Sequence, residues 1–147
     1  ATVQVSSGRG LWVVDTDVEN LGECDHIRAV REALEYMFSD PRIRVLGFSF
    51  SRDLARLQAL CPGGGISGRN VRDLQKVCEG VMQTPKGATP SLQRVCEALL
   101  GRTLLKTHQC SDWQQRPLTR AQLEYAALDA LVLRVHLLPL LVDCIDA

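Results

Sequence analysis

The chain has 147 residues, of which 46% are hydrophobic and 23% are charged. This length fits a single domain spanning residues 1–147, and the composition excludes a disordered tail because it supplies enough apolar side chains for a core. The net charge is zero, yet residues 41–120 carry thirteen basic and five acidic side chains, and both flanking segments are acidic. A basic middle segment fits a surface for a phosphate backbone, and an ordinary solvated surface explains it equally well.

The six cysteines include no CxxC pair. Free thiols in a reducing compartment explain them most simply, and a zinc site formed by Cys96, His108 and Cys110 is a minor alternative because no second ligand pair has zinc-site spacing. The most apolar segment, residues 126–142, contains charged residues and a proline, so we expect it not to span a bilayer. With no signal peptide in the chain, we expect an intracellular protein of the nucleus or cytoplasm.

Strands and helices alternate along the first half of the chain. Residues 2–15 combine two β-rich runs around the turn residues SGRG and predict a hairpin. Residues 24–40 have helical spacing of apolar side chains, with Asp25 as the expected N-cap. The run IRVLGFSF, residues 43–50, predicts a buried strand, and a helix follows with Ser51 as its expected N-cap.

The second half continues this alternation. Residues 70–75 predict a short strand, followed by a helix to Met82. Another helix is expected to open at Thr89 and Pro90 and to close at Gly101, because proline favours the first turn and glycine the C-cap.

The last helix carries the most explicit start signal. An irregular connection over residues 102–118 leads to Thr119, which forms a T-x-x-Q capping box with Gln122. Pro139 should bend or end this helix. The interleaving of strands and helices predicts an α/β fold.

Three polar side chains stand out within these elements. Asp53 follows a buried strand in the first turn of a helix, where it is suited either to bind a cation or simply to cap. Tyr125 and Asp129 are four residues apart and share one helical face among small alanines. The plain alternative for this pair is a Tyr–Asp hydrogen bond buried in the core.

The segment SDWQQRPLTRAQLEYAALDA, residues 111–130, resembles the C-terminal signature of the ribonuclease D-like 3′–5′ exonucleases, the Tyr-type DEDD superfamily. Gly101, Leu104 and Lys106 match positions just before it. VLGFSFSRDLARL, residues 45–57, resembles the second motif of this family, a strand followed by a helix that carries an aspartate. The likeness covers essentially the whole chain and looks closest to exonuclease domains of the Mut-seven and Werner-syndrome types.

This resemblance implies a ribonuclease H-like exonuclease fold, in which helices flank a mixed sheet. It also implies hydrolysis of single-stranded RNA or DNA with two Mg²⁺ or Mn²⁺ ions about 4 Å apart. Asp129 would bind the first ion directly, Asp53 would reach the second through water, and Tyr125 would orient the attacking water. Hard oxygen ligands suit these ions.

One part of the family pattern is not found. The resemblance calls for an Asp-x-Glu on the first, central strand. The substitutes Asp15, Asp17 and Glu19 lie too few residues before Asp53, so Asp15 is expected to close the third strand. Asp73 is expected only to end a strand. We therefore expect a chain that begins after the central strand, with impaired activity and unpaired strand edges on both sides of the gap.

Two other functions remain open at this point. The domain could bind nucleic acid without cleaving it, or it could serve as a protein-interaction module on an exonuclease scaffold. Trp113 and Arg116 suggest substrate contacts, by base stacking and phosphate binding. The alternative, that Trp113 packs the connection onto the core and Arg116 pairs with an acid, is favoured because large aromatic side chains are mostly buried.

Overall fold

The computed structural model describes residues 2–17, 24–85, 87–104 and 107–145, so the motif positions Glu19 and Lys106 lie outside it. The described strands are β1 (Thr2–Ser7), β2 (Gly10–Asp15), β3 (Val45–Gly47) and β4 (Val71–Asp73). The described helices are α1 (Asp25–Ser39), α2 (Ser51–Leu60), α3 (Leu74–Val81), α4 (Leu92–Leu100), α5 (Arg120–Val132) and α6 (Leu138–Ile145), with a π-helical segment, Leu133–Leu137, between α5 and α6.

The strands pair in two separate sheets. β1 and β2 form an antiparallel hairpin in which Thr2 lies opposite Asp15 and Ser7 opposite Gly10, which confirms the hairpin predicted for residues 2–15. β3 and β4 are parallel, with Val45 opposite Val71. Over the described ranges no ladder joins the two sheets. The predicted α/β class is confirmed, while the described strands form two pairs rather than one continuous mixed sheet.

The backbone contacts divide the chain into two compact units. The first comprises residues 1–15 and 75–147, and the second comprises residues 16–74. The sequence-based proposal of one domain over residues 1–147 stays a prediction.

The second unit is built on the apolar face of α1. Its buried side chains recur at helical spacing, and α2, the residues around it and the first residue of α3 supply the other buried apolar side chains of this unit. These buried side chains are Ile27, Leu34, Phe38, Leu57, Cys61, Ile66 and Leu74. The N-cap of α1 is Cys24, so the assignment of Asp25 as cap was wrong. Asp25 lies in the first turn, where its carboxylate pairs with Arg28.

β3 ends three residues earlier than its apolar pattern predicts. It stops at Gly47, and Ser49 adopts the left-handed region with φ of 54°. Phe50 is the N-cap of α2, so the assignment of Ser51 as N-cap was wrong by one residue. The extended pattern breaks because the amides of Ser49 and Phe50 both donate to the carboxylate of Asp73, at 2.9 Å each.

The first unit packs the β1–β2 hairpin against α5. Its buried apolar side chains come from the four helices and the π-helical segment: Cys78, Val95, Cys96, Ala126, Val132, Leu137, Leu141 and Ile145. α4 begins after Ser91, whose hydroxyl accepts from the amide of Arg94, so the predicted opening at Thr89 and Pro90 was too early. The predicted end at Gly101 is confirmed, with φ of 62°.

The start of α5 follows the sequence closely. Thr119 is the N-cap and forms the predicted capping box with Gln122. Pro139 neither ends the helix nor leaves it regular, because it lies in the first turn of α6, directly after the π-helical segment. Pro139 has no amide hydrogen for the carbonyl four residues earlier, and the wider π turn, in which the Leu138 amide bonds to the Leu133 carbonyl, accommodates this loss.

Across the described residues no helix is both long enough and apolar enough to cross a membrane.

Candidate active site

Tyr125 and Asp129 lie one turn apart on α5, as the sequence predicts. Both side chains are half-buried. The predicted alternative, a hydrogen bond between them, does not form: in the described part of the chain neither side chain has a hydrogen bond or an ion pair. The two side chains are therefore half-buried, while no hydrogen bond or ion pair from another described residue engages their polar atoms.

The carboxylate of Asp129 sits in an unfavourable environment for a negative charge. Burial raises its pKa. The charge of Asp129 also acts on Cys96 of α4. Burial is the main cause that raises the pKa of the Cys96 thiol, and the Asp129 carboxylate is the second. Among the described residues no cationic side chain pairs with Asp129. A half-buried carboxylate in this situation is a strong candidate for a cation ligand, because a bound ion would offset the cost of its desolvation.

Tyr125 is surrounded by aromatic rings of the connection that precedes α5. The ring of His108 lies edge-on at a centroid distance of 6.5 Å, and the ring of Trp113 is tilted at 6.0 Å. Burial raises the pKa of Tyr125, and the charges of Asp129 and Cys110 raise it further. The phenol therefore keeps its proton at neutral pH and is available to donate a hydrogen bond.

The connection before α5 is held by hydrogen bonds from the side chains of Trp113 and Gln122. The Trp113 indole N–H donates to the His108 carbonyl at 3.2 Å. The buried Gln122 side chain donates to the Asp112 carbonyl at 2.8 Å and to the Ser111 hydroxyl at 3.2 Å. The capping residue of α5 thus also fixes the loop that places Trp113 against Tyr125. A glutamine three residues after a threonine signals the cap, but nothing local signals this second role.

Arg116 pairs with Asp15 at the end of β2. Its Nε and Nη2 donate to the two carboxylate oxygens at 2.5 and 2.8 Å, across 101 residues of chain. Nη1 also donates to the Trp113 carbonyl at 3.0 Å. Arg116 thus pairs with an acid, as the alternative predicted, while Trp113 packs against Tyr125 and stays half-buried. Asp15 ends its strand as predicted and serves as an ion-pair partner.

Asp53 lies in the first turn of α2, in the second unit. Its side chain is 54% exposed and stands 3.9 Å from the Arg56 guanidinium. The structure thus brings together Tyr125 and Asp129, and the convergence of Asp53 with them stays a prediction. Within the described ranges no three His, Cys, Asp or Glu side chains form a group able to hold a metal ion.

Asp73 ends β4, as predicted, but its carboxylate does more than terminate a strand. It accepts from the two backbone amides just before α2, the helix that carries Asp53. The sequence offered no signal for this contact, because the partners lie 24 and 23 residues away.

Solved structures with the same arrangement of elements define the fold. The EXO domain of Aedes aegypti Nibbler superposes with a TM-score of 0.70 at 24% identity, covering 99% of this chain and 68% of that one. Escherichia coli RNase D, described as an exoribonuclease involved in structured RNA processing, superposes with a TM-score of 0.67 at 26% identity, covering 97% of this chain and 33% of that one. The chain has the ribonuclease H-like exonuclease fold, as its sequence predicted.

The sequence comparisons are more specific. A sequence model of the 3′–5′ exonuclease family matches residues 1–139. Exonuclease mut-7 of Caenorhabditis elegans is 34% identical over 144 residues, which cover 90% of this chain and 16% of that protein. The Drosophila melanogaster homologue of exonuclease mut-7 is 32% identical over 141 residues, covering 87% of this chain and 22% of that protein.

This chain belongs to the 3′–5′ exonuclease family. It spans less than a quarter of the length of these two relatives. The match therefore identifies the domain that they share with this chain.

Proposed function

We propose that this chain is a 3′–5′ exonuclease domain that hydrolyses phosphodiester bonds of single-stranded RNA or DNA with divalent metal ions. Membership of the exonuclease family supports the reaction class. The observation that carries the proposal is the environment of Asp129, a half-buried carboxylate that lacks a partner within the described residues and stands beside the protonated phenol of Tyr125.

Asp129 and Asp53 are the proposed ligands for Mg²⁺ or Mn²⁺. The donor chemistry fits, because carboxylate oxygens are the ligands that these ions prefer. Bound divalent ions would supply an activated water and stabilise charge on the leaving 3′ oxygen. Tyr125 would hold the attacking water in line with the phosphorus, using a hydroxyl that no other described side chain engages.

We further propose that this chain alone is weakly active or inactive. Two carboxylates cannot easily hold two divalent ions, and the described residues contain no group of three metal-ligand side chains. The missing ligands would have to come from residues outside those described.

The first test measures metal binding at Asp129. Mn²⁺ is titrated into the whole chain and followed by electron paramagnetic resonance and by the melting temperature. We expect Mn²⁺ to stabilise the wild type and not Asp129→Asn, since a ligand stabilises only the state that binds it. Asp143→Asn, which removes an exposed acid of α6, is the matched control and should behave as the wild type. Equal Mn²⁺ binding by Asp129→Asn would refute the proposed ligand.

The second test measures hydrolysis directly. Single-stranded RNA and DNA labelled at the 5′ end are incubated with the chain and Mn²⁺, with and without a chelator. We expect slow shortening from the 3′ end at most, absent in Asp129→Ala. Rapid chelator-sensitive shortening that depends on Asp129 would support the exonuclease and overturn the proposed impairment. Shortening that survives both the chelator and Asp129→Ala would overturn the site.

Tyr125→Phe separates water positioning from metal binding. The variant keeps the ring between His108 and Trp113 and removes only the hydroxyl. We expect unchanged Mn²⁺ binding and a fall of about 10–100-fold in any metal-dependent shortening, the size of effect that misplacing a reacting group produces. An unchanged rate would exclude Tyr125 from the reaction.

A catalytically inactive nucleic-acid binding module is the second candidate. It is favoured by the lack of a three-ligand group among the described residues and by exposed arginines of the basic middle segment, among them Arg52, Arg69, Arg72 and Arg94. Binding of single-stranded nucleic acid that weakens steeply with salt, without any cleavage, would support this candidate.

We also propose an intracellular location. All six cysteines are free thiols, as expected in a reducing compartment. The distribution of a tagged chain between cell fractions would test this proposal.

A further inference from the structure

The turn between β3 and α2 has a backbone that its own sequence does not favour. The run Val45–Phe50 is apolar and β-prone, yet the strand stops at Gly47. Ser49 then takes φ of 54°, a region that a non-glycine residue adopts only at a cost in free energy. Something outside the segment must stabilise this conformation.

The carboxylate of Asp73 is that external support. One of its oxygens accepts from the Ser49 amide at 2.9 Å, and the other accepts from the Phe50 amide at 2.9 Å. Bonds from backbone amides to an ionised carboxylate are about twice as strong as bonds between neutral groups. The two bonds also satisfy amides at the start of α2 that the helix itself leaves unpaired.

Packing of the Phe50 ring restricts the conformation of this turn. The Phe50 ring lies so close to Gly47 that a Cβ there would come within 2.5 Å of it. The same ring stacks on the Phe38 ring of α1, with the two centroids 6.3 Å apart and an angle of 9° between the ring planes. The position of Phe50, the N-cap, is therefore fixed by both packing and hydrogen bonds.

We propose that Asp73 is a positioning residue for Asp53. By binding the amides of Ser49 and Phe50, Asp73 determines where α2 begins, and hence the direction in which Asp53, three residues into the helix, presents its carboxylate. This inference rests on the proposed function for the role of Asp53 as a metal ligand, while the positioning itself is a property of the turn.

Nuclear magnetic resonance on the whole chain tests the positioning. Amide hydrogen exchange at Ser49 and Phe50, and N–H residual dipolar couplings over the first turn of α2, are compared between the wild type, Asp73→Asn and Asp73→Ala. We expect exchange at both amides to accelerate about tenfold or more in Asp73→Ala, with changed couplings at Asp53. Arg72→Ala, on the exposed side of the same strand, is the matched control and should change neither quantity.

Ser49→Gly adds a rescue. Glycine adopts a positive φ without the Cβ penalty, so it should restore part of the wild-type couplings when combined with Asp73→Ala. Unchanged exchange and couplings in both Asp73 variants would overturn the proposal. If Asp73→Ala does not fold, Asp73→Asn, which replaces one of the two acceptor oxygens by a donor NH2 group, decides the outcome.

Paramagnetic broadening by Mn²⁺ then tests the link to the metal. We expect the wild type to show broadening at Asp53 and Asp73→Asn to need about tenfold more Mn²⁺, the usual loss when a residue that supports a metal ligand is changed. Equal Mn²⁺ affinity would overturn the functional part of the inference. Absence of broadening at Asp53 in the wild type would instead refute the proposed metal role of Asp53, leaving exchange and couplings to decide the role of Asp73.

Discussion

Asp129 and Asp40 are two carboxylates with opposite surroundings. Asp129 is half-buried without a partner among the described residues, and burial raises its pKa. Asp40 is bound by the guanidinium and the backbone amide of Arg42, with Nη2, the amide and Nε at 2.6, 2.9 and 3.0 Å. The side-chain bond from Arg42, followed by its backbone bond, holds the pKa of Asp40 well below its usual range. The first carboxylate is a candidate cation ligand, and the second closes a turn.

Asp40 gives the second unit a pH-dependent stability. Because the folded-state pKa is depressed, its contribution is present above the usual aspartate pKa of about 4 and is lost as the pH falls through that value towards the folded-state pKa. We expect Asp40→Asn to be less stable than the wild type at neutral pH, with the difference shrinking steadily below pH about 4. Chemical denaturation at several pH values, followed by circular dichroism, measures this.

The control for this experiment is Asp25→Asn. Asp25 also pairs with an arginine, but its side chain is 92% exposed. Exposed pairs contribute little to stability, so this variant should have a pH profile close to that of the wild type. Parallel profiles for Asp40→Asn and the wild type down to acidic pH would contradict the role assigned to Asp40.

Among the secondary-structure elements, α5 has the start that the sequence predicts most clearly. The Thr119 hydroxyl accepts from the Gln122 backbone amide at 3.2 Å, and the Gln122 side-chain oxygen Oε1 accepts from the Thr119 backbone amide at 2.9 Å. This helix carries Tyr125 and Asp129, so the cap supports the candidate active site directly.

Removing the cap should destabilise the first unit. We expect Thr119→Ala to lower the free energy of unfolding by about 1 kcal/mol, because the backbone amide of Gln122 loses the hydroxyl that accepts its hydrogen bond. Thr119→Ser keeps the hydroxyl and should lose much less. Urea unfolding compares the two variants, and equal losses would show that the hydroxyl is not what stabilises the helix start.

The sequence predicted correctly those features of the fold that depend on interactions between neighbouring residues. The hairpin of residues 2–15, the cap at Thr119 and the end of α4 at Gly101 each depend on neighbours a few positions away. The early end of β3 was not predictable from its own residues, because Asp73 imposes it from a distant strand. The π-helical segment was missed for a different reason: a proline inside an apolar helix is compatible with a bend, an end or a widened turn.

The same division applies to the candidate site. Tyr125 and Asp129 were found because helical spacing of four residues places them on one face. That Arg116 pairs with an acid was anticipated, but Asp15 as its partner was not, because 101 residues separate them. The spacing that excluded Asp15 from the metal site carried no information about what it would bind instead.

At the scale of the whole molecule, the first unit is discontinuous. Residues 16–74 form the other unit, so the N-terminal hairpin and the helices after residue 75 belong together although the chain leaves and returns between them. Polar contacts between described residues that join these segments include the Asp15–Arg116 pair, and the bond that the Arg134 guanidinium donates to the Ser6 hydroxyl at 3.0 Å.

The Asp15–Arg116 pair should stabilise the first unit measurably. Its side chains are only 33% and 26% exposed, and its two parallel bonds are the geometry in which such pairs are strongest. We expect a double-mutant cycle with Asp15→Ala and Arg116→Ala to give a coupling of about 1–2 kcal/mol. Both tryptophans, Trp12 and Trp113, lie in this unit, so their fluorescence during urea unfolding reports it selectively.

A second pair in the same unit provides the comparison. Arg120 and Glu124 are bonded at 2.7 Å on α5, but their side chains are 92% and 65% exposed. A cycle on this pair should give about 0.3–0.5 kcal/mol. A coupling for Asp15 and Arg116 no larger than that would mean that the long-range pair does not help to close the first unit.

The first unit is formed by two separate parts of the chain, residues 1–15 and 75–147, which the ribosome makes at different times. The ribosome makes the β1–β2 hairpin before α5, the helix against which it packs, and more than a hundred residues separate the end of the hairpin from the start of that helix. Residues 16–74, by contrast, are complete as soon as they have been translated. Until residues 120–132 have also been translated, the face of the hairpin that packs against α5 stays uncovered.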